Sequence, residues 1–124
     1  MRLLGLHDAT SGGIGWGMTT FAPGTIAVIF VSEATGDDAE GYAAAAAEAE
    51  ALAETQPGYR GIESVRGADG IGISVSYWAD EATAIAWRKN ARHAEIREMG
   101  RGRWYRWYSL HVAEIGRSYD WEKE

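Results

Sequence analysis

The sequence predicts one α+β domain in which two helices pack on one face of a four-stranded antiparallel sheet. The predicted elements follow one another as strand, helix, strand, strand, helix, strand. Glycine-containing turns separate most of these segments, and β-branched and aromatic residues are concentrated in the predicted strands. This order is that of the split βαβ, or ferredoxin-like, arrangement, whose two helices share one side of the sheet.

The first half of the domain contains a central strand and a long helix. The segment TIAVIFVSE, residues 25–33, is β-branched and nearly all apolar, as expected of a strand that is covered on both faces. A helix is predicted within residues 36–58, because the Asp37–Asp38 pair can cap its first amides and apolar side chains recur at helical spacing. Pro57 and Gly58 end this helix.

The second half contains two strands, a helix and a long aromatic strand. Residues 59–67 (YRGIESVRG) and 71–78 (IGISVSYW) form a hairpin around an Asp-Gly turn. Asp80 is predicted to cap a second helix that continues unbroken to about Met99 and ends at Gly100. Residues 103–121, RWYRWYSLHVAEIGRSYDW, are predicted as one strand with a bend at Gly116.

We divide the chain into a glycine-rich N-terminal arm (1–24), the α+β domain (25–121) and a short tail (122–124). Six of the first 24 residues are glycine, which favours a flexible arm. Its large apolar side chains instead favour packing against the domain or against a partner subunit. These side chains are Trp16, Met18 and Phe21.

Composition excludes several classes of function. The 124 residues carry a net charge of −6, which argues against a nucleic-acid or anionic-membrane surface. There is no cysteine, and the three histidines are far apart in sequence with no metal-binding spacing. No apolar run approaches the ~20 residues that span a bilayer, and the start lacks a secretory apolar region. We therefore expect a cytoplasmic protein that binds neither membranes nor nucleic acid.

RNA binding deserves a separate test, because RNA-recognition domains share the βαββαβ order and seven of the twelve Lys and Arg fall between Arg88 and Arg106. Such domains stack bases on aromatic side chains of the third strand. Here the third strand reads GIGISVSY, and its central positions are aliphatic or serine. The sequence therefore lacks the stacking platform.

The second predicted helix carries the main candidate site. On a regular helix Trp87, Asn90 and His93 are successively about 60° apart, so all three share one arc. If that arc meets the sheet, an indole, an amide and an imidazole project together and can hold a flat, oxygenated ring. In the alternative, all three residues are structural. Trp87 packs in the core, Asn90 lies on the helix surface, and His93 lies at the edge of the helix with its hydrogen bonds satisfied.

The arginines have two possible roles. Arg66 or Arg97 could balance the charge of a phenolate near the pocket. Arg101, Arg103 and Arg106 are predicted to begin the last strand and to pair with acidic residues of a neighbouring subunit. Every strand carries Ile, Val, Trp or Tyr, so the sheet face without helices also needs a cover, and a second copy of the chain is the simplest one.

Several segments together resemble a known family. The segments are QPGYRGIESVRG, GIGISVSYW and AIAW, followed by H, GR, WY and VAEIGRSYDW. Their order and spacing are similar to those of the antibiotic biosynthesis monooxygenases. The resemblance covers about residues 25–121. It implies a homodimer whose two sheets close into a dimeric α+β barrel, with a pocket in each subunit between helices and sheet.

The resemblance also implies a chemistry. Family members include enzymes that oxidise polycyclic phenols or anthrones with molecular oxygen, without flavin or metal. On that basis Trp78 and Trp87 would form the walls of a pocket for an aromatic small molecule, and Asn90 would donate a hydrogen bond to its oxygen. His93 would accept or relay the proton. A dimer that binds a small ligand without catalysis, for instance in a stress response, is the alternative.

Other family members degrade haem, and this sequence departs from their pattern. They carry an asparagine on the first strand and an axial histidine about ten residues beyond a helix tryptophan. Here Ser32 and Glu33 occupy the strand position, and Arg97 stands ten residues after Trp87. The resemblance therefore implies no cofactor, and haem remains a further alternative with His93 as its ligand.

Overall fold

A computed structural model describes residues 19–124 together with the backbone of Arg2–Leu3. Four long strands and the helices between them follow the predicted order, with one short strand added and the second predicted helix divided in two; a π-helical turn, Gly100–Trp104, follows the last helix. The strands are β1 (Arg2–Leu3), β2 (Ile26–Ala34), β3 (Tyr59–Arg66), β4 (Ile71–Trp78) and β5 (Tyr105–Glu114). The helices are α1 (Ala39–Glu54), α2 (Glu81–Arg88) and α3 (Ala91–Met99).

The sheet has the strand order β1-β3-β4-β2-β5, and every neighbouring pair is antiparallel. The four long strands and the helices between them form the predicted ferredoxin-like α+β fold. β1 adds a two-residue strand beyond the predicted four, pairing with the end of β3. No helix among the described residues is long and apolar enough to cross a membrane.

The two faces of the sheet have different surroundings. In an antiparallel pair, side chains of directly opposite residues lie on the same face. Ile26 and Trp78 are opposite each other and are buried beneath the helices, which defines the helix-side face. On the other face, which we call the outer face, the exposed residues include Ile71, Ile73 and Trp107.

Two separate clusters form the core between the helices and the sheet. The first joins the sheet to α1 and α2, and the second joins α1, α3 and the π-helical turn. The buried members of the first are Ile26, Ala53, Trp78, Ala84 and Trp87. Those of the second are Ala45, Ile96 and Trp104. Alanines on α1 allow this helix to pack closely, against the sheet and α2 in the first cluster and against α3 and the π-helical turn in the second.

The arm predicted for residues 1–24 lies mostly outside the described residues, including Trp16 and Met18. Its described end packs on the domain: the ring of Phe21 stacks on Tyr77 with centroids 4.0 Å apart. Tyr77 lies on the outer face of β4, so residues of the arm approach the same face that the exposed isoleucines occupy.

The prediction of an unbroken second helix was wrong. The chain forms α2 and α3, with a break at Lys89 and Asn90. Asn90 has an extended backbone (φ −58°, ψ 128°), which no helical residue adopts. The break also changes which side chains are inward: Ile85 on α2 is exposed, whereas Ile96 on α3 is buried. A single helix would have placed both on the same side.

The long final strand was also predicted incorrectly at both ends. Its first residues form the π-helical turn, so that β5 begins at Tyr105, and it ends at Glu114 before the predicted bend at Gly116. The nearby arginines form ion pairs with acidic residues of the same chain, whereas the sequence predicted pairing with a neighbouring subunit. Arg101 contacts Glu98, Arg103 contacts Asp38 and Arg106 contacts Glu33, at 2.6, 3.6 and 3.2 Å.

Candidate functional site

A row of four aromatic rings crosses the space between the helices and the sheet. His93 stacks on Trp87 with ring centroids 4.0 Å apart and planes 10° apart. Trp87 in turn stacks on Trp78 at 5.7 Å and 23°. Tyr59 meets Trp78 edge-on at 5.8 Å and 80°. The row brings residues of β3, β4, α2 and α3 into one continuous wall.

The two indoles anchor this row. Trp78 is fully buried, and its ring N–H donates to Ser76 Oγ at 3.0 Å, so the burial leaves no unsatisfied donor. Trp87 is 8% exposed, which shows that its side of α2 meets the sheet. Local sequence fixes the start of this helix: Asp80 and Thr83 form a capping box that begins α2 about two turns before Trp87.

The contacts of His93 define its chemical form. Its Nδ1 lies 3.1 Å from the carbonyl oxygen of Trp87, which can only accept, so Nδ1 carries the proton and Nε2 carries a lone pair. Burial lowers the pKa of His93 below the ordinary imidazole value, with a smaller contribution from nearby Arg97. The hydrogen bond to Trp87 opposes this shift. At neutral pH His93 is therefore a neutral base whose Nε2 can accept a proton.

Asn90 has a role that helical spacing did not predict. It is the N-cap of α3, and its Oδ1 accepts from the backbone N–H of His93 at 3.0 Å. The three residues therefore do not share one helical arc; Trp87 and His93 meet across the break that Asn90 caps. The side-chain NH2 of Asn90 is not used in this cap and remains a possible donor to a ligand.

Arg97 belongs to the His93 end of the site. Its Nη1 donates to the carbonyl oxygen of Arg88 at 3.2 Å, which links α3 back to the end of α2. Its charge disfavours a second positive charge on His93. Arg97 is thus placed to attract an anionic ligand toward the imidazole.

Arg66 lies at the other end of the sheet. It is opposite Gly72, six residues along β4 from Trp78, which corresponds to about 20 Å of extended strand. Its Nη2 donates to Ser32 Oγ at 2.8 Å and to the Tyr42 hydroxyl at 3.0 Å. Its Nη1 donates to the carbonyl oxygens of Ser32 and Gly70. The structure therefore does not bring Arg66 to the row of rings; it joins β2, α1 and the hairpin.

The sequence analysis missed several polar groups on the helix-side face. Ser74 and Ser76 are half-buried there, beside the row of rings, and Tyr59 closes one end of it. Glu50 is half-buried on α1, between Ala49 and Ala53 in sequence. A signal existed in both cases: serine alternates with large apolar residues in GISVSYW, and Glu50 interrupts the small-residue stripe of α1.

A surface cleft of about 410 Å³ lies elsewhere, between the start of α2 and the end of β5. Its lining includes Asp80, Glu81 and Glu114 but none of the four rings. Its acidic, open character does not suit an aromatic ligand, and we place the site at the rings. Among residues 19–124, no three His, Asp or Glu side chains are grouped so that they could bind a metal ion.

Comparisons with known proteins agree with this architecture. The sequence profile of the family described as antibiotic biosynthesis monooxygenase matches residues 25–99. The chain is 43% identical over 95 residues to YqjZ, an uncharacterised protein of Bacillus subtilis (strain 168). The match covers 77% of this chain and 82% of the Bacillus protein.

Solved structures show the same fold at low sequence identity. A candidate antibiotic biosynthesis monooxygenase from Nitrosomonas europaea superposes with a TM-score of 0.67 at 12% identity, covering 77% of this chain and 93% of that one. A mutant of SnoaB, a cofactor-independent oxygenase from Streptomyces nogalater, gives 0.64 at 14% identity, with coverages of 73% and 91%. Rv0793 from Mycobacterium tuberculosis gives 0.64 at 14%, with coverages of 72% and 92%.

The N-cap at Asn90 gives a testable prediction. Asn90→Ala removes the acceptor for the His93 amide and should lower the free energy of unfolding by about 1 kcal/mol. Asn90→Asp keeps an acceptor at the same place and should stay close to the parent protein. Urea unfolding of the three proteins measures this; equal losses in both variants would contradict the capping role.

The packing of Arg66 gives a second prediction. A Cβ on Gly72 would lie 2.7 Å from Cζ of Arg66, so Gly72→Ala must displace the guanidinium and should cost about 1–3 kcal/mol of stability. A Cβ on Gly102 meets nothing within 4 Å, which makes Gly102→Ala the matched control. Thermal unfolding compares the two variants, and similar melting temperatures would disprove the close contact.

Proposed function

Because the chain belongs to the antibiotic biosynthesis monooxygenase family, we propose that it oxidises an aromatic or polycyclic small molecule with molecular oxygen and without a cofactor. The observation that carries this proposal is the neutral imidazole of His93 stacked on Trp87, with Nε2 as the lone-pair nitrogen. A proton acceptor held against a planar apolar wall suits a flat substrate that becomes reactive when it loses a proton.

An anthrone illustrates the reaction. His93 Nε2 removes one proton from the ring carbon opposite the ketone, and the resulting enolate is electron-rich enough to reduce oxygen directly. A new carbon–oxygen bond forms at that carbon. Loss of its second hydrogen, together with cleavage of the oxygen–oxygen bond, gives a quinone and one molecule of water. One oxygen atom enters the product and the other leaves as water, so no external reductant is needed.

The protein contributes binding, orientation and exclusion of water. Trp87 keeps 8% of its surface exposed and offers apolar surface for the substrate rings, while the fully buried Trp78 supports it from the sheet side. The NH2 group of Asn90 is a donor for the substrate oxygen as negative charge develops on it. Arg97 supplies positive charge at the same end. In this proposal Arg97 binds the substrate and Arg66 maintains the fold, and the buried Trp78, which the sequence predicted as a pocket wall, holds Trp87 in place.

Haem degradation is less well supported by the residues present. The two residues that stand where the haem-degrading pattern has asparagine already have partners. Ser32 Oγ accepts from Arg66, and the carboxylate of Glu33 contacts the Trp107 ring N–H and the Arg106 guanidinium at 2.9 and 3.2 Å. We therefore derive no step through haem. SnoaB, which has the same fold, is a cofactor-independent oxygenase, and this supports the same choice.

We also propose that the protein is a homodimer built through the outer face. Ile73 is 42% exposed in the middle of the sheet, with Ile71 and Trp107 exposed on the same face. Monomeric proteins rarely expose a continuous apolar sheet face of this kind. β5 is an edge strand that is exposed along most of its length, which leaves its backbone groups available to a second sheet.

The oxygenase proposal predicts oxygen uptake by metal-stripped protein given an anthrone, with one quinone formed per oxygen consumed. His93→Ala should lower the rate by about 10²-fold, the usual contribution of a general base. Glu95→Ala, an exposed change on the same helix, should retain the rate. Because burial lowers the pKa of His93, the rate should stay constant through neutral pH and fall only below the ordinary value of 6.5.

Uptake no faster than the spontaneous reaction would disprove catalysis. Quenching of tryptophan fluorescence by the same compound would then identify a small-molecule-binding protein. A Soret shift on haem titration that His93→Ala abolishes would instead favour the haem alternative.

The dimer proposal predicts twice the monomer mass in light scattering at micromolar concentration. Ile73→Asp should shift the protein to monomer, because a charge would be buried in the apolar interface. Ile85→Asp is the control, because Ile85 is similarly exposed, at 45%, but lies on α2 and not on the outer face of the sheet. A monomeric parent protein, or dissociation by the control substitution alone, would contradict an interface on this face.

A further inference from the structure

The segment that follows β5 carries the two most exposed large hydrophobic side chains among the described residues. Tyr119 is 84% exposed and Trp121 is 76% exposed. Residues 115–124 form no helix, strand, turn or bend, and residues 116–124 make no hydrogen bond, ion pair or ring contact with any described residue. We call residues 116–124 the C-terminal segment. Exposed aromatic rings of this kind mark a surface that binds a partner.

The C-terminal segment has two chemically different sides. Side chains alternate along an extended chain, so every second residue lies on one side. One side consists of an aromatic pair with a basic residue at each end: Arg117, Tyr119, Trp121 and Lys123. The other side is polar and acidic: Ser118, Asp120, Glu122 and Glu124. The basic, aromatic side therefore fits a surface that is apolar and acidic.

A surface of this kind begins on the helix-side face of β5. Leu110 and Val112 are opposite residues of β2 that share a face with Ile26, so both lie on the helix-side face. The helices bury Ile26, but they leave Leu110 47% exposed and Val112 54% exposed. We call Leu110 and Val112 the apolar strip. This edge of the helix-side face is therefore left in contact with water.

The surface cleft of about 410 Å³ continues the apolar strip, because Val112 lines the cleft as well. Three acidic residues also line it: Asp80, Glu81 and Glu114. None of them forms an ion pair with a described residue, and neither do the two basic residues of the C-terminal segment. Basic side chains suit this cleft, whereas aromatic rings suit the strip beside it. The two surfaces together are complementary to one side of the segment in charge and in polarity.

The C-terminal segment does not reach these surfaces in its own chain. The N–H of Ile115 donates to the carbonyl oxygen of Thr25 at 2.8 Å, and the Ile115 carbonyl oxygen accepts from Gly24 at 2.9 Å. These bonds direct the chain past the end of the sheet, and no turn or bend reverses it afterwards. In two chains related by a twofold axis, the segment of each can instead lie on the other, so that the same contact forms twice.

We propose that the C-terminal segment of each protomer binds the apolar strip and the acidic cleft of a second copy of the chain. Tyr119 and Trp121 pack on the strip, and a basic side chain enters the cleft. Arg117 and Lys123 flank the aromatic pair, so one of them reaches the cleft whichever way the segment runs along β5.

This contact is separate from the outer face of the proposed homodimer and rests on the proposed function only in requiring a second copy. The strip and the segment both lie after residue 99, where the match to the family profile ends. Ile26 lines the cleft and also belongs to the core cluster of Trp87. The bound segment would therefore shield one side of that cluster from water.

The test is an exchange of charge between two variants. The acidic-segment variant carries Arg117→Glu and Lys123→Glu, and the basic-cleft variant carries Glu81→Lys and Glu114→Lys. Each variant by itself should raise the dissociation constant of the dimer by about tenfold, because like charges then meet at both copies of the contact. Sedimentation over a dilution series measures this constant.

An equimolar mixture of the two variants should recover the parent dissociation constant, because each segment then meets a cleft of opposite charge on the other chain. A chain that carries all four substitutions should recover it as well. Recovery in that chain but not in the mixture would show that the segment binds its own chain, which would overturn the proposal.

Trp121→Ser tests the apolar contact without a change in charge. It should weaken the dimer about tenfold, because each dimer loses two buried indoles. Glu122→Ser, on the other side of the segment, should keep the parent dissociation constant. The double substitution Arg88→Glu with Lys89→Glu should keep it too, because it makes the same change in net charge as the acidic-segment variant but at the exposed end of α2.

A monomeric parent protein would overturn the proposal, as would parent-like dimerisation of Trp121→Ser or of the two charge variants. Equal weakening by the control at the end of α2 would attribute the effect to net charge and would overturn it too. Thermal unfolding checks that each variant is folded.

Ile73→Asp separates this contact from the outer face. A dimer that Ile73→Asp disrupts and the segment variants leave intact would support the outer face and overturn binding of the segment. A dimer that the segment variants disrupt and Ile73→Asp leaves intact would support binding of the segment alone.

Discussion

The burial of Trp78 is the interaction on which the rest of the candidate site depends. This indole ends β4, is fully excluded from solvent and has its one donor satisfied by Ser76. Trp87 stacks on it, which holds α2 against the sheet, and Tyr59 packs against its edge. Stacked and edge-on pairs each add about 0.5–1.5 kcal/mol beyond the burial of their area, so the row is rigid as well as apolar.

The break between α2 and α3 converts this packed row into a site with a base. In a continuous helix, the His93 side chain would project at a fixed angle from that of Trp87. The backbone carbonyl of Trp87 would then accept a hydrogen bond within the helix. Because Asn90 restarts the helix, the carbonyl of Trp87 accepts from His93 Nδ1 as well as from the Asn90 amide, and the imidazole lies flat on the indole. One cap therefore determines the position, tautomer and burial of His93 together.

The helix-side face is divided between structural and ligand-binding ends. At one end Arg66 uses both of its terminal nitrogens to join β2, α1 and the β3–β4 hairpin, and the missing side chain of Gly72 makes room for it. At the other end lie the four rings of the row, with His93 at one side of the row and the Tyr59 hydroxyl at the other. Each end has one buried polar atom without a partner, Arg66 Nε and Tyr59 Oη, so hydrogen-bond saturation does not distinguish them.

The sequence alone determined the order of the four long strands and the Asp80 cap, because β-branched runs and caps act within a few residues. Tertiary structure decided the rest. Asn90 is compatible with both a helix interior and a cap, and only the folded chain shows that it caps α3. Likewise, no local pattern shows that Arg66 contacts Ser32 and Tyr42. These contacts join residues far apart in sequence, so only packing of the helices on the sheet brings them together.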